Sequence, residues 1–171
     1  MCTVGRLEVQ WSRKAELNVR PCRFQAASAF NQDISQWNTA SITSLTQGFY
    51  TATLFNSNIG AWNVASLISM NNAFNGASGF NQNLGGWKTA SVTDMGWMFN
   101  DAASFNQNLA AWNVLGVTDM TSVFDGTTAL ADCYKRSVYS TWGATLQAAY
   151  PTWGSLSVCT PRCENRWADR G

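Results

Sequence analysis

A repeat solenoid closed at its C-terminal end by a helical lid is the fold class this sequence predicts, and three observations predict it. Trp37, Trp62, Trp87 and Trp112 stand 25 residues apart in the 171-residue chain. The same interval, with no insertion or deletion, places Phe30, Phe55, Phe80 and Phe105, then Asn31, Asn56, Asn81 and Asn106, then Phe49, Phe74, Phe99 and Phe124. At Ala131 the period stops and an amphipathic helical pattern begins. A fixed period of this length means one structural unit stacked on copies of itself, and such a stack needs a terminal element to cover its last apolar face.

Four segments follow along the chain. Residues 1 to 23 do not fit the repeat: they are basic, contain Pro21, and read as a loose tail, an imperfect N-terminal cap or foreign sequence at the edge of a fragment. Residues 24 to 130 hold a half unit and four full ones. Within a unit, Phe105, Gln107 and Leu109 alternate with period two, which predicts a short strand stacked in parallel ~4.8 Å from its neighbour. Val92, Met95, Met98 and Phe99 follow helical spacing, and Thr93 and Thr118, each followed by an aspartate, are expected to cap short helical turns. The aligned asparagines are poor strand formers; at a turn corner their side chains can bond backbone groups of the next copy, making a ladder. Residues 131 to 159 form the lid: Asp132 is placed to cap a helix with Tyr134, Val138 and Trp142 on one face, ended by Gly143. Residues 160 to 171 are charged and patternless, a tail.

Composition narrows the function. Charged residues make up 12% of the chain, about half the usual share, and Asn, Gln, Ser and Thr take their place at the surface. Between Phe24 and Leu130 Lys88 stands alone against Asp33, Asp94, Asp101, Asp119 and Asp125, so no nucleic-acid partner is expected. No apolar run reaches transmembrane length, and the N-terminus lacks the apolar core of a secretory leader. The five cysteines, Cys2, Cys22, Cys133, Cys159 and Cys163, lie outside the repeats, which suggests stapling of the ends, with Cys133 and Cys159 the expected pair and free thiols the alternative.

Catalytic groups are scarce. The absence of histidine removes the commonest general base and metal ligand, so no enzyme, metal or cofactor is expected. Asp94 and Asp119 occupy equivalent positions on adjacent units and could form a carboxylate pair, but Ser44 and Ser69 fill that position in earlier copies, as a capping site tolerates. The tryptophans invite a carbohydrate-binding reading, yet an indole repeated in every unit is more simply core. The expected core is therefore Phe30, Trp37, Phe55, Trp62, Phe80, Trp87, Phe105 and Trp112. Trp97 occurs once and out of that register, which makes it the best single candidate for a contact residue, although packing at a loop is the more expected role of such a side chain. An ice-binding face would need an unbroken rank of threonines. Val64 and Val114 alternate with Thr39 and Thr89, and Ile68 interrupts Thr43, Thr93 and Thr118.

The string from Val92 to Asn113 and its copies resembles the BspA-like leucine-rich-repeat surface proteins, in particular their Phe-Asn-Gln-rich class seen in mycoplasma-type surface lipoproteins. The resemblance covers residues 24 to about 155, including the closing segment Ala131-Asp132-Cys133-Tyr134-Lys135-Arg136. Asn56-Ser57-Asn58, Ile68 and Lys88 depart from the pattern. The resemblance implies a right-handed, leucine-rich-repeat-like coil. It also implies an extracellular or cell-surface location and a role in adhesion or protein contact, with no catalytic residues to carry over. The expected function is a non-enzymatic interaction module. It would bind a protein or glycan through its regular face, using Gln32, Asn58, Gln82, Asn83, Gln107 and Asn108 together with Trp97. A carbohydrate-binding module is the alternative and an ice-binding protein the third reading.

Overall fold

Two positions in each 25-residue unit adopt positive φ, and they decide what the backbone can form. The computed structural model describes residues 24–159; the expectations for residues 1–23 and 160–171, and for Cys2, Cys22 and Cys163, lie outside them. One left-handed position is held by Gln47, Asn72, Trp97 and Ser122, and the other, four residues on, by Ala26, Thr51, Gly76, Asp101 and Gly126. A residue in this region interrupts both helix and strand. Each unit is accordingly a succession of tight turns. Met98, Ala102 and Phe105 donate their N–H groups three residues back, to the carbonyls of Met95, Phe99 and Ala102.

The N–H groups between those turns reach the next unit. Leu45, Gln47, Phe49 and Thr51 donate to the carbonyls of Ser69, Asn71, Ala73 and Asn75 at 2.7–2.9 Å. Met70, Asn72, Phe74 and Gly76 do the same one unit later, to Asp94, Gly96, Met98 and Asn100. Successive units therefore lie as layers, and alternate donors of one layer are satisfied by carbonyls of the next.

This corrects the expected secondary structure. Among the described residues no β-strand forms, and the strand-rich, leucine-rich-repeat-like coil is not what the chain builds. Among the described residues the only parallel pairing is a single bridge between neighbouring layers, Ser44 with Ser69, Ser69 with Asp94 and Asp94 with Asp119. These bridges fall where helical turns were expected. At the expected strand, the N–H of Asn106 is taken by the side-chain oxygen of Asn81 instead of a backbone carbonyl. The helices expected after Thr93 and Thr118 are absent too, because Trp97, Asp101 and Ser122 are left-handed. Apolar residues recur at spacings of three and four here because each turn returns one side chain to the interior.

The interior is a set of aromatic columns. Phe49, Phe74, Phe99 and Phe124 form one, with centroids 5.4–5.8 Å apart and planes within 7° of parallel. Phe55, Phe80 and Phe105 form a second beside it. Indoles line a third row, with Trp62 stacked on Trp37 at 6.3 Å and Trp112 on Trp87 at 6.1 Å, and Trp62, Trp87 and Trp112 are each buried. Each of these indole N–H groups donates to a carbonyl of the preceding layer, Ile34, Ile59 and Leu84 respectively, at 2.9–3.1 Å. Phe30 and Trp37, in the first described layer, are half-buried and packed against the same core.

Close layer contact constrains some glycines. A Cβ on Gly60 would lie 2.6 Å from the backbone oxygen of Asn83 in the next layer, and main chain cannot give way as a flexible side chain can. Gly60→Ala should cost about 1–3 kcal/mol in urea unfolding. The nearby Gly86→Ala, whose Cβ would meet nothing within 4 Å, should stay within about 0.5 kcal/mol of the parent.

Beyond the repeats the chain turns helical: α1 (Asp132–Thr141), α2 (Ala144–Ala149) and a 3-10 turn (Pro151–Ser155). The N-cap of α1 is Ala131, so Asp132 sits in the first turn instead, beside the N–H groups whose partial charge favours a carboxylate. These elements imitate a further layer. Trp142 stacks on Trp112 at 5.9 Å and donates its indole N–H to Leu109, as Trp112 does to Leu84. Trp153 packs on Phe124 at 5.6 Å. The N–H of Ala131 continues the asparagine ladder onto Asn106. The N–H of Phe124, whose counterparts donate to a carbonyl of the next layer, donates instead to the Tyr150 hydroxyl at 2.9 Å. That hydroxyl in turn donates to Asp125 at 2.9 Å.

Tyr150→Phe would leave the Phe124 N–H without its acceptor and should cost about 1–3 kcal/mol. Burial, followed by the neighbouring Asp125, pushes the Tyr150 phenol well above its ordinary value of 10.0. The folded protein thus keeps this proton where the unfolded chain loses it. Its contribution is complete below pH 10.0 and is lost as the pH rises beyond. Unfolding measured from pH 8 to 11 should show a steeper alkaline decline in the parent than in Tyr150→Phe.

Candidate functional site

The asparagine row is first of all a structural device. The side-chain oxygens of Asn31, Asn56 and Asn81 accept the N–H groups of Asn56, Asn81 and Asn106, each at 2.8–2.9 Å. Gln82 reaches back to donate to both the main-chain and side-chain oxygens of Asn56, and Gln107 does the same to Asn81. Asn58, Asn83 and Asn108 are exposed, but their side-chain oxygens accept the N–H two residues on, from Gly60, Gly85 and Ala110. Asp33 stands in the same register and accepts from Ser35 at 2.9 Å; this main-chain bond, with the Ser35 hydroxyl, holds its carboxyl below the usual carboxylate range. Gln32 is exposed. What this face offers outward is chiefly the amide N–H groups of Asn58, Asn83 and Asn108, since the carbonyl sides and the glutamine amides of later layers face inward along the stack.

The threonine rows split. Thr39 and Thr89 are buried, while Thr43, Thr93 and Thr118 are exposed and separated by Ile68. The hydroxyls of Thr93 and Thr118 are drawn back onto the carbonyls of Ile68 and Thr93 in the preceding layers.

A second polar network follows the bridge positions. Asp94 accepts from Gly96 N–H and the Asn71 amide through one oxygen, at 3.0 and 3.1 Å, and from the Ser69 hydroxyl through the other at 3.3 Å. Ser44, Thr46 and Ser69 continue the network toward the first layer. Asp119 accepts from Thr121 N–H with Oδ1 at 2.8 Å. Its Oδ2 lies against Gly96, where a Cβ would approach it to 2.9 Å, so the missing side chain at Gly96 is what admits this carboxylate.

Trp97 follows Gly96. It is 38% exposed, and its main-chain N–H donates to Thr121 in the next layer at 2.7 Å. Unlike the indoles of Trp62, Trp87, Trp112 and Trp142, its ring makes no hydrogen bond and no aromatic contact among the described residues. It also sits at φ 53°, where a bulky side chain is rare. No hydrogen bond joins it to the amide row, so the contact residues expected from the sequence fall into two separate groups. Sequence reasoning missed the Asp119–Gly96 contact and the Tyr150 latch. The lone glycine in a row otherwise held by Thr46, Asn71 and Thr121 was the available signal for the first.

At the C-terminal end a shallow depression of about 240 Å³ is lined by Asn106, Ala131, Asp132, Cys133, Tyr134, Ser157 and Val158. Its carboxylate, Asp132, is paired with Lys135 at 3.0 Å. Cys159 nearby places its thiol 3.5 Å from the Ser137 hydroxyl. Among the described residues no helix is long and apolar enough to cross a membrane.

Comparison with curated proteins finds no significant match, and comparison with solved structures finds none either. A family model described as a Mycoplasma protein of unknown function, DUF285, matches residues 21–136, which is most of the chain and includes every repeat. The leucine-rich-repeat part of the earlier resemblance is not carried by this match. The chain is a repeat protein that belongs to the DUF285 family.

Proposed function

We propose that this protein is a non-enzymatic interaction module, displayed at a cell surface or secreted, that takes part in adhesion by binding a ligand on the side of its stack. The observation that carries this reading is Trp97: an exposed indole in a layered protein whose indoles at Trp62, Trp87 and Trp112 are buried and hydrogen-bonded. The corresponding position holds Gln47, Asn72 and Ser122 in the other layers, so a layer forms without an aromatic there. A chain without histidine and with few charges is poorly equipped for proton transfer, which supports binding over catalysis. The short neutral polar surface suits contact with many ligands without strong self-repulsion.

Two measurements test it. Purified protein on beads should adhere saturably to at least one member of a panel of immobilised extracellular-matrix proteins and glycans. Intact cells of the source organism should lose the protein to externally added protease. Absence of saturable binding across the panel, or full protection from protease on intact cells, would overturn the reading.

A further inference from the structure

We infer that the turn carrying Trp97 is a stacking subsite for a neutral hexopyranoside residue of a glycan; this rests on the interaction-module reading and names the ligand class for one part of it. The indole is exposed, and its N–H is uncommitted. The groups the backbone sets beside it are polar: Asn72 one layer before, Ser122 one layer after, and Asn100, whose N–H closes the turn onto the Trp97 carbonyl. The side chains of Asn100, Thr121 and Ser122 enter no hydrogen bond within the described residues, and Asp119 keeps Oδ2 unbonded beside Gly96.

This combination matches a sugar better than a protein. A pyranose has an apolar C–H face that covers an indole and a rim of hydroxyls that both donate and accept. The rim here offers one carboxylate oxygen, an amide, two hydroxyls and the indole N–H. A protein hot spot would need the aromatic enclosed by apolar neighbours that exclude water. The flanking rows, Thr46 with Gln47, Asn71 with Asn72 and Thr121 with Ser122, supply none. Charge selects among sugars. Lys88 is the sole base between Phe24 and Leu130, and Asp94 and Asp119 lie next to the turn, so sialylated or sulfated glycans are disfavoured. The positive φ of Trp97 holds the ring on a turn tied to the next layer through the Thr121 carbonyl, so little ordering remains to be done on binding.

The test uses the full chain on an array of neutral galacto-, gluco- and manno-configured oligosaccharides with their sialylated and sulfated counterparts, alongside immobilised matrix proteins. Saturable binding to a neutral glycan is expected. In Trp97→Asn, which installs the residue found at Asn72, it should fall at least tenfold with the melting temperature unchanged or raised. Asp119→Asn should weaken binding while Lys88→Ala leaves it unaltered. Binding confined to acidic glycans, or neutral-glycan binding unchanged in Trp97→Asn, would overturn the inference. Binding to proteins with no glycan signal would overturn it and leave the broader reading standing. No binding to either class would end both.

Discussion

Replacing Trp87 by alanine should destabilise the protein by roughly 3–5 kcal/mol in denaturant unfolding. The indole is buried on the order of 200 Å² deep in the stack, between Trp112 at 6.1 Å and the Phe74 ring at 6.4 Å. Its N–H also donates to the Ile59 carbonyl at 3.1 Å, which takes the Trp62 main-chain N–H as well, so truncation leaves a cavity and removes one of that carbonyl's two donors. Because layers hold one another, the loss should propagate: the transition should broaden, since central repeats couple the two halves of a stack. An effect below about 1 kcal/mol would mean that the indole column carries little of the packing.

The second large effect is expected at the other end of the same column. Trp142→Ala should cost a similar ~3–5 kcal/mol, although the residue lies outside the repeats. It sits where a further layer would place its tryptophan, 5.9 Å from Trp112, and donates to Leu109 at 3.2 Å. The mechanism differs from that of Trp87→Ala. Losing Trp142 uncovers the last layer, exposing Trp112 and Phe124 to water, so association or aggregation should accompany the loss of stability. Size-exclusion chromatography with scattering would show this as concentration-dependent oligomers in Trp142→Ala and a unit mass in the parent. A Trp142→Phe variant, which keeps the ring but not the donor, should recover most of the stability and little of the Leu109 bond.

How the chain would stack was legible in the period, because an uninterrupted 25-residue interval has few other physical meanings. What each layer would look like was not. The left-handed positions are held by Gln47, Trp97, Ser122, Thr51 and Asp101 as well as by Asn72, Gly76 and Gly126. Only Asn72, Gly76, Asp101 and Gly126 carry the usual composition signal for positive φ. Without it, the apolar spacing of Val92, Met95, Met98 and Phe99 reads as a helix and that of Phe105 and Leu109 as a strand. The backbone instead makes turns whose intervening N–H groups serve the neighbouring layer.

The candidate site was partly legible for a related reason. Trp97 stood out because it breaks register, and an unrepeated aromatic in a repeat has no packing role imposed by its neighbours. The amides of Gln82 and Gln107 could not be assigned from sequence, since the same side chain can face outward to a ligand or backward onto Asn56 and Asn81. The cap was legible as an amphipathic pattern, but its mimicry of a layer was not. Trp153 and Trp142 do not share the spacing of the phenylalanines and the tryptophans they continue, and only three-dimensional placement shows the correspondence.

Whether successive 25-residue stretches truly lie face to face is read most directly from the exchange of indole protons, resolved by NMR and assigned through single Trp→Phe variants. The indole N–H groups of Trp62, Trp87, Trp112 and Trp142 should exchange only with global unfolding, and that of Trp97 should exchange at a solvent-like rate. Rapid exchange at Trp87 or Trp112 in the folded protein, or protection of Trp97 equal to theirs, would contradict the layered architecture and the exposed aromatic it presents.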